Sequence, residues 1–130
     1  MTPLISVNQE GQFSEIADVG AVANVLHVGD VASHDQITLL LDQPIVRLQV
    51  DGFADGRGFS VARQLRLLGF AGVIEVIGDL LPDQLPMAAA SGVDAILIRT
   101  EHAERCEEGQ WQEKSGDKTR FGYQRSRVGD

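Results

Sequence analysis

Four short apolar segments, rich in β-branched residues, alternate along this chain with segments that have helical features. The four segments lie at residues 21–28, 45–50, 72–77 and 95–98. Parallel neighbouring strands need a crossover connection, usually a helix, whereas antiparallel neighbours can be joined by a tight turn. Three successive strand–helix–strand units therefore predict an α/β fold, with a parallel sheet of about four strands and right-handed βα crossovers.

The connecting segments carry signals for the starts of helices. Ser33 and Gln36 have the spacing of a capping box, which predicts a helix over residues 34–42. Ser60 is placed to cap a second helix, and Pro82 is placed to open a third, short one. Each predicted helix therefore begins shortly after a predicted strand ends.

The curvature of the sheet is left open by the sequence. Arg47 and Gln49 alternate with apolar residues in the second strand, so one of its faces is polar, which favours a curved sheet. Four strands cannot close a full (βα)-barrel, which needs eight. The prediction is thus an open sheet or a partial barrel.

The two ends of the chain differ from its centre. We expect residues 1–106 to form a single α/β domain, in which residues 1–20 form an N-terminal hairpin with its turn near Asn8 and Gly11. Residues 107–130 are predicted to be a polar tail. Its aromatic side chains either strap the tail across its own core or form the contact of a homodimer. These side chains are Trp111, Phe121 and Tyr123.

Composition excludes several classes of function. The chain has 11 basic and 19 acidic side chains and a net charge of −8, which opposes binding to nucleic acid or to anionic membranes. The single cysteine, Cys106, excludes an internal disulfide. No apolar run reaches the ~20 residues of a membrane span, and the N-terminus has no signal-peptide pattern. We therefore expect a cytoplasmic protein with no membrane and no nucleic-acid partner.

Polar and charged side chains follow three of the predicted strands. In parallel α/β folds the carboxyl ends of the strands lie at one edge, where ligands bind. The residues that this rule brings to one edge are Asp51, Asp55, Arg57, Ser60, Asp79, Asp83, Arg99, Thr100 and Glu101. We therefore predict the functional site at this edge.

Two interpretations of these edge residues are open. In the first, Arg57 binds an anionic substrate or a partner, with help from Ser60 and Arg99, and Asp55 or Asp79 is a general base. In the second, Asp55 pairs with Arg57 to hold a tight turn, and Asp79 only caps the helix that follows it.

Common cofactor and metal patterns are absent from the sequence. Gly56-Arg57-Gly58-Phe59-Ser60-Val61 lacks the third small residue of a dinucleotide fingerprint. His102 and Cys106 share a predicted helix face, but two ligands do not make a zinc site. No flavin, nicotinamide, haem or iron–sulfur pattern is present either, so we expect no cofactor and no metal.

Three segments carry a resemblance to a known family: residues 53–66, 78–85 and 92–95, with Tyr123-Gln124 near the C-terminus. Together they resemble the bacterial domain of unknown function 934 family, whose members are described as oxidoreductases associated with sulfite reduction. The residues that match the family's pattern are Asp55, Arg57, Ser60, Arg63, Arg66, Gly78, Asp79, Asp83 and Gln84.

The sequence departs from this family at two places. Glu75 stands where an arginine is usual on the third strand, and Ala90-Ser91 stands where the family has Arg-Cys. The resemblance implies an accessory protein of assimilatory sulfur metabolism that binds a ligand or a partner, and it implies sulfite reductase or another sulfur-assimilation protein as that partner. The alternative is an enzyme, an oxidoreductase or another activity on a small anion, with its site at the strand edge.

Overall fold

The computed structural model describes residues 4–16, 25–31 and 33–115, and these form a six-stranded sheet with five α-helices. The strands are β1 Leu4–Asn8, β2 Phe13–Ile16, β3 Val25–His27, β4 Ile45–Gln49, β5 Val73–Ile77 and β6 Ala95–Arg99. The helices are α1 His34–Thr38, α2 Arg57–Leu67, α3 Leu85–Ala90, α4 Thr100–Arg105 and α5 Glu108–Ser115. Short 3-10 helices precede α1 and α3, at Val28–Asp30 and Pro82–Gln84.

The sheet has the strand order β2-β1-β6-β5-β4-β3. Strands β3 to β6 are parallel neighbours, which confirms the predicted α/β class and its parallel core. The prediction of about four strands was wrong, because β1 pairs antiparallel with both β6 and β2 and makes the sheet mixed. This pairing satisfies the edge of β6, whose backbone groups would otherwise lack partners. The two outermost strands, β2 and β3, do not pair in the described chain, so the sheet is open.

The turn between β1 and β2 is held by local contacts. The side-chain oxygen of Asn8 accepts hydrogen bonds from the backbone N–H groups of Glu10 and Gln12, both at 2.9 Å. Gly11 lies within this turn at φ +81°, a backbone conformation that L side chains rarely adopt. The turn lies where the sequence placed the N-terminal hairpin.

One face of the sheet packs against the helices. Alternate strand residues, such as Val46, Leu48, Ile74 and Val76, enter a single hydrophobic cluster. Each helix adds an apolar side chain to the same cluster: Ile37 from α1, Leu65 from α2, Leu85 from α3, Ala103 from α4 and Trp111 from α5. Parallel strands that follow each other in chain order, with crossovers of one hand, place their helices on one face. All five described helices therefore cover this face.

The opposite face of the sheet carries a separate set of side chains. Leu4 and Leu97 are buried, at 4% and 0% exposure, but neither belongs to the helix-side cluster. Arg47 and Glu75 are opposite each other in register on this face, and their side chains form an ion pair at 2.9 Å. This face therefore mixes apolar and charged groups, as the alternation in β4 predicts.

The helix boundaries differ from the predicted ones in two cases. The capping box at Ser33 is present, with hydrogen bonds in both directions between Ser33 and Gln36, but α1 ends at Thr38 rather than at residue 42. The prediction that Ser60 caps α2 was wrong. This helix begins at Arg57, with Gly56 at its N-cap, and Ser60 lies in its first turn. Asp55 fixes the earlier start by accepting a hydrogen bond from the Arg57 backbone N–H at 3.3 Å.

The first part of the expected polar tail is helical. Trp111 on α5 is fully buried in the helix-side cluster, and its indole N–H donates a hydrogen bond to the Cys106 carbonyl at 2.8 Å. Phe121 and Tyr123 lie outside the described residues. None of the described helices is long and apolar enough to cross a membrane.

Candidate functional site

The loop between β4 and α2 is organised by Arg57. Its Nε donates to Asp55 Oδ1 at 2.8 Å and its Nη2 donates to Asp55 Oδ2 at 2.9 Å, a bidentate pair. Nη2 also contacts Asp51 Oδ2 at 3.2 Å. The hydrogen bonds from Arg57 hold the pKa of Asp55 well below its ordinary value of 3.8, although partial burial acts in the opposite direction. Asp55 is thus an ionised, fixed carboxylate whose side chain is only 10% exposed.

His27 joins this group from the end of β3. Its Nε2 lies 2.8 Å from Asp51 Oδ1, and its Nδ1 accepts a hydrogen bond from the Gly29 backbone N–H at 3.0 Å. Because Nδ1 is the acceptor, the proton of the neutral ring is on Nε2, which donates to Asp51. The resulting network runs from His27 through Asp51 and Arg57 to Asp55.

His27 is not among the residues that the sequence analysis assigned to this edge, because it lies within an apolar run. It is the last residue of β3 and therefore lies at the same carboxyl edge as the predicted residues. The rule that sorted the other polar residues would have found it, had the predicted strand ended at His27, as the observed strand does, rather than at residue 28.

A second pair lies at the ends of β5 and β6. The Arg99 Nε and Nη2 donate to Asp79 Oδ2 at 2.7 and 2.6 Å, and the Arg99 backbone N–H donates to Oδ1 at 3.1 Å. Burial of the Asp79 carboxyl raises its pKa, but the hydrogen bonds from Arg99 lower it by more, so it lies below its ordinary value. The same hydrogen bonds raise the pKa of Arg99.

Asp79 does not cap the helix that follows it. The N-cap of the next 3-10 helix is Leu81, and the carboxyl oxygens of Asp79 bond to Arg99 on the neighbouring strand. The interpretation of Asp79 as a helix cap was therefore wrong. It links two strands instead.

A pocket of about 290 Å³ opens at the carboxyl ends of β4, β5 and β6, on the face of the sheet away from the helices. We call it the edge pocket. Its lining residues are Leu4, Gln49, Val50, Asp51, Gly52, Ile77, Gly78, Asp79, Leu97 and Arg99. Gln49, Ile77 and Leu97 are register partners on adjacent strands, so their side chains form one row across the pocket. The pocket thus has an apolar floor and a polar rim.

The predicted site residues divide between two places. Asp79 and Arg99 line the edge pocket with Asp51, as the rule for parallel strands predicts. Arg57 and Ser60 instead line a separate recess of about 220 Å³ beside α1, and Asp55 lines neither cavity. Only part of the predicted cluster therefore shares one concave surface.

The titratable side chains of the Arg57 network and of the Asp79–Arg99 pair have partners within the described chain. Asp55 and Asp79 are each bound by an arginine, and both nitrogens of His27 have partners. Among the residues that the structure describes, no group of three histidine, cysteine or acidic side chains is placed to hold a metal ion.

Comparison with known proteins gives one match. A family model described as "Bacterial protein of unknown function (DUF934)" matches residues 24–129. The match spans β3 to α5 and so includes the network around Arg57 and nearly all of the edge pocket. No curated protein and no solved structure matches the chain. The resemblance noted in the sequence is thereby confirmed, and the chain belongs to the DUF934 family of bacterial proteins of unknown function.

Proposed function

We propose that this chain is a non-catalytic accessory protein that binds a small ligand or a partner protein at the edge pocket. Following the resemblance noted in the sequence, we place it in assimilatory sulfur metabolism with sulfite reductase as the partner. The observation that carries the binding role is the pairing of each candidate base with an arginine.

A general base works best when its pKa is near the pH of the reaction. The pKa values of Asp55 and Asp79 lie below their ordinary value, because hydrogen bonds from Arg57 and Arg99 stabilise the ionised carboxylates. A carboxylate stabilised in this way is a weak proton acceptor at neutral pH. These pairs are suited to holding a rigid binding surface, which supports the accessory role over the enzyme.

The shape of the edge pocket also supports binding. Its volume of about 290 Å³ is close to the lower limit of pockets that take small organic molecules, which is ~300 Å³. Leu4 and Leu97 supply buried apolar surface, while Gln49 and Arg99 are exposed at the rim. Arg99 is 59% exposed, so part of its guanidinium is available to a ligand or to an acidic group of a partner.

The experiment measures the affinity of the purified chain for purified sulfite reductase by isothermal titration calorimetry. We expect Arg99→Gln to weaken binding by about tenfold or more, since it removes a charged hydrogen-bond donor from the rim of the pocket. Arg105→Gln is the matched control, because Arg105 is an exposed arginine on α4 that does not line the pocket.

Equal affinities for the two variants and the native chain would reject the edge pocket as the contact surface. Absence of any binding to sulfite reductase would reject the partner. A thermal-shift measurement with sulfite tests the small-ligand form, because a ligand that binds only the folded state raises the melting temperature. Circular dichroism of each variant establishes that the fold is retained.

A further inference from the structure

A third concave surface lies between α2 and α3, on the helix side of the sheet, and shares Ser60 and Gln64 with the recess beside α1. This α2–α3 groove has a volume of about 460 Å³ and shares no lining residue with the edge pocket. Its lining residues are Gly56, Phe59, Ser60, Arg63, Gln64, Met87 and Ser91. The volume falls within the ~300–1,000 Å³ of pockets that hold small organic molecules.

Arg63 is an unusual cation in this chain. Helix α2 contains three arginines and no acidic residue, although the net charge of the chain is −8. The other two arginines of α2 have acidic partners, since Arg57 pairs with Asp55 and Arg66 pairs with Asp94. Within the described ranges, no acid and no hydrogen-bond acceptor contacts the side chain of Arg63. Its positive charge in the groove is therefore uncompensated by the chain itself.

Ser91 supplies a second unsatisfied polar group in the wall of the same groove. Its residue exposure is 2%, and its Oγ is buried without any hydrogen-bond partner. It is the one such side-chain atom found in the described part of the chain. A buried hydroxyl without a partner costs free energy, so native proteins rarely keep one. Because the Oγ is not accessible to solvent in this conformation, a rotation of the Ser91 side chain about χ1 would have to turn it towards the groove, where a ligand would supply the missing partner.

The polar side chains of α2 are arranged along one stripe of the helix. Ser60, Arg63 and Gln64 are three and four residues apart, so they project from the same face, and all three are exposed. Their hydroxyl, guanidinium and amide groups are all hydrogen-bond donors. Phe59 and Met87 line the same groove, and Met87, which is 44% exposed, supplies most of the apolar surface because Phe59 is only 8% exposed.

We propose that the α2–α3 groove binds a small organic anion. Its acidic head group, a carboxylate, sulfonate or phosphate, pairs with Arg63 and accepts hydrogen bonds from Ser60, Gln64 and Ser91. Its apolar body lies against Phe59 and Met87. The site is independent of the edge pocket, because Arg63 is neither part of the Arg57 network nor a lining residue of that pocket.

The test uses calorimetric titration of the full chain with phenyl phosphate, benzenesulfonate and benzoate, and with inorganic phosphate as the head group alone. We expect at least one aromatic anion to bind, and to bind more tightly than inorganic phosphate, because only the aromatic anions bury apolar surface on Phe59 and Met87. Absence of saturable binding by all four probes overturns the proposal. Binding of inorganic phosphate as tight as that of the aromatic anions also overturns it.

Variants then assign the site. Arg63→Gln is expected to weaken the aromatic anion by at least about tenfold, since it removes the charge from a charged hydrogen bond. Arg105→Gln and Arg99→Gln are expected to leave this affinity unchanged, the latter because Arg99 belongs to the edge pocket. An unchanged affinity in Arg63→Gln overturns the proposal. A loss in Arg99→Gln assigns the anion to the edge pocket and overturns it as well.

Ser91→Ala gives a readout that a purely structural serine would not. The substitution removes a buried hydroxyl without a partner, so the melting temperature without ligand is expected to be unchanged or higher. The affinity for the aromatic anion is expected to fall severalfold, since a donor to the head group is lost. A lower melting temperature together with unchanged affinity shows that Ser91 has a structural role and overturns its assignment to the site.

Discussion

Arg66 on α2 binds two connections, the one that leads into β5 and the one that leads into β6, and its removal is expected to destabilise the fold strongly. Its guanidinium donates five hydrogen bonds of 2.8–3.1 Å. Two go to the carbonyl of Gly92, one each to the carbonyls of Phe70 and Gly72, and one to the Asp94 carboxylate. The guanidinium also lies 5.6 Å from the centre of the Phe70 ring. The substitution Arg66→Met keeps an unbranched apolar stem close to the aliphatic part of the arginine and removes every donor.

The size of the loss follows from how exposed these groups are. The side chains of Arg66 and Asp94 are 28% and 43% exposed, so the ion pair itself contributes only about 0–1 kcal/mol. The three carbonyl groups lose a charged donor, and water replaces it only in part, at a cost of about 1 kcal/mol each. The expected decrease in the free energy of unfolding is therefore about 3–4 kcal/mol, a large share of the roughly 5–15 kcal/mol of a typical domain.

The assay is equilibrium unfolding in urea, with the free energy obtained by linear extrapolation. Arg63→Met is the matched control, because Arg63 lies one turn earlier on the same helix and is exposed without a described partner. We expect it to change the free energy of unfolding by less than about 0.5 kcal/mol in the absence of ligand. A loss below about 1 kcal/mol in Arg66→Met, or equal losses in the two variants, would refute the reasoning.

Two further changes test the packing and the electrostatics. Gly11→Ala places a Cβ 2.5 Å from the backbone of Trp111 at a φ of +81° and should cost about 3 kcal/mol. The emission of the single, buried Trp111 should shift to longer wavelength if α5 separates from the turn between β1 and β2. Unchanged emission and unchanged stability would contradict this. Because the pKa of Asp55 is lower in the folded state than its ordinary value of 3.8, the stability it contributes is complete above that value and is lost as the pH falls through the folded pKa. Unfolding measured from pH 6 to pH 2 should therefore show a smaller acid-induced loss in Asp55→Asn than in the native chain, and identical slopes would disprove the role of the Asp55–Arg57 pair.

Local signals predicted local structure well. The capping box between Ser33 and Gln36 is formed as expected, because both partners belong to the same helical turn. The pairing of Asp55 with Arg57, one of the two interpretations of that loop, is also found, and these residues are two positions apart. The start of α2 was misplaced because Ser60 is a good N-cap by residue type, whereas the chain uses the carboxylate of Asp55 one turn earlier.

The side-chain pairs between distant segments were not predicted from the sequence. His27 contacts Asp51 across 24 positions, and Asp79 contacts Arg99 across 20. Each pair depends on which strands are neighbours and in what register, which local preferences do not specify. The free charge of Arg63 could have been predicted from the sequence, because α2 contains no acid. No residue three or four positions away from Arg63 could therefore pair with its charge.

The sequence by itself determined the parallel βα core, the capping box that starts α1 and the edge at which several of the charged residues gather. These features follow from hydrophobic periodicity and from backbone groups that neighbouring side chains satisfy. Only the tertiary structure decided that β1 lies beside β6, that Leu4 and Leu97 meet in the floor of the edge pocket, and that Arg57 is bound to acids while Arg63 is not. The physical reason is that these outcomes depend on the packing of distant segments, in which each charge either finds a partner within the fold or remains available to a ligand.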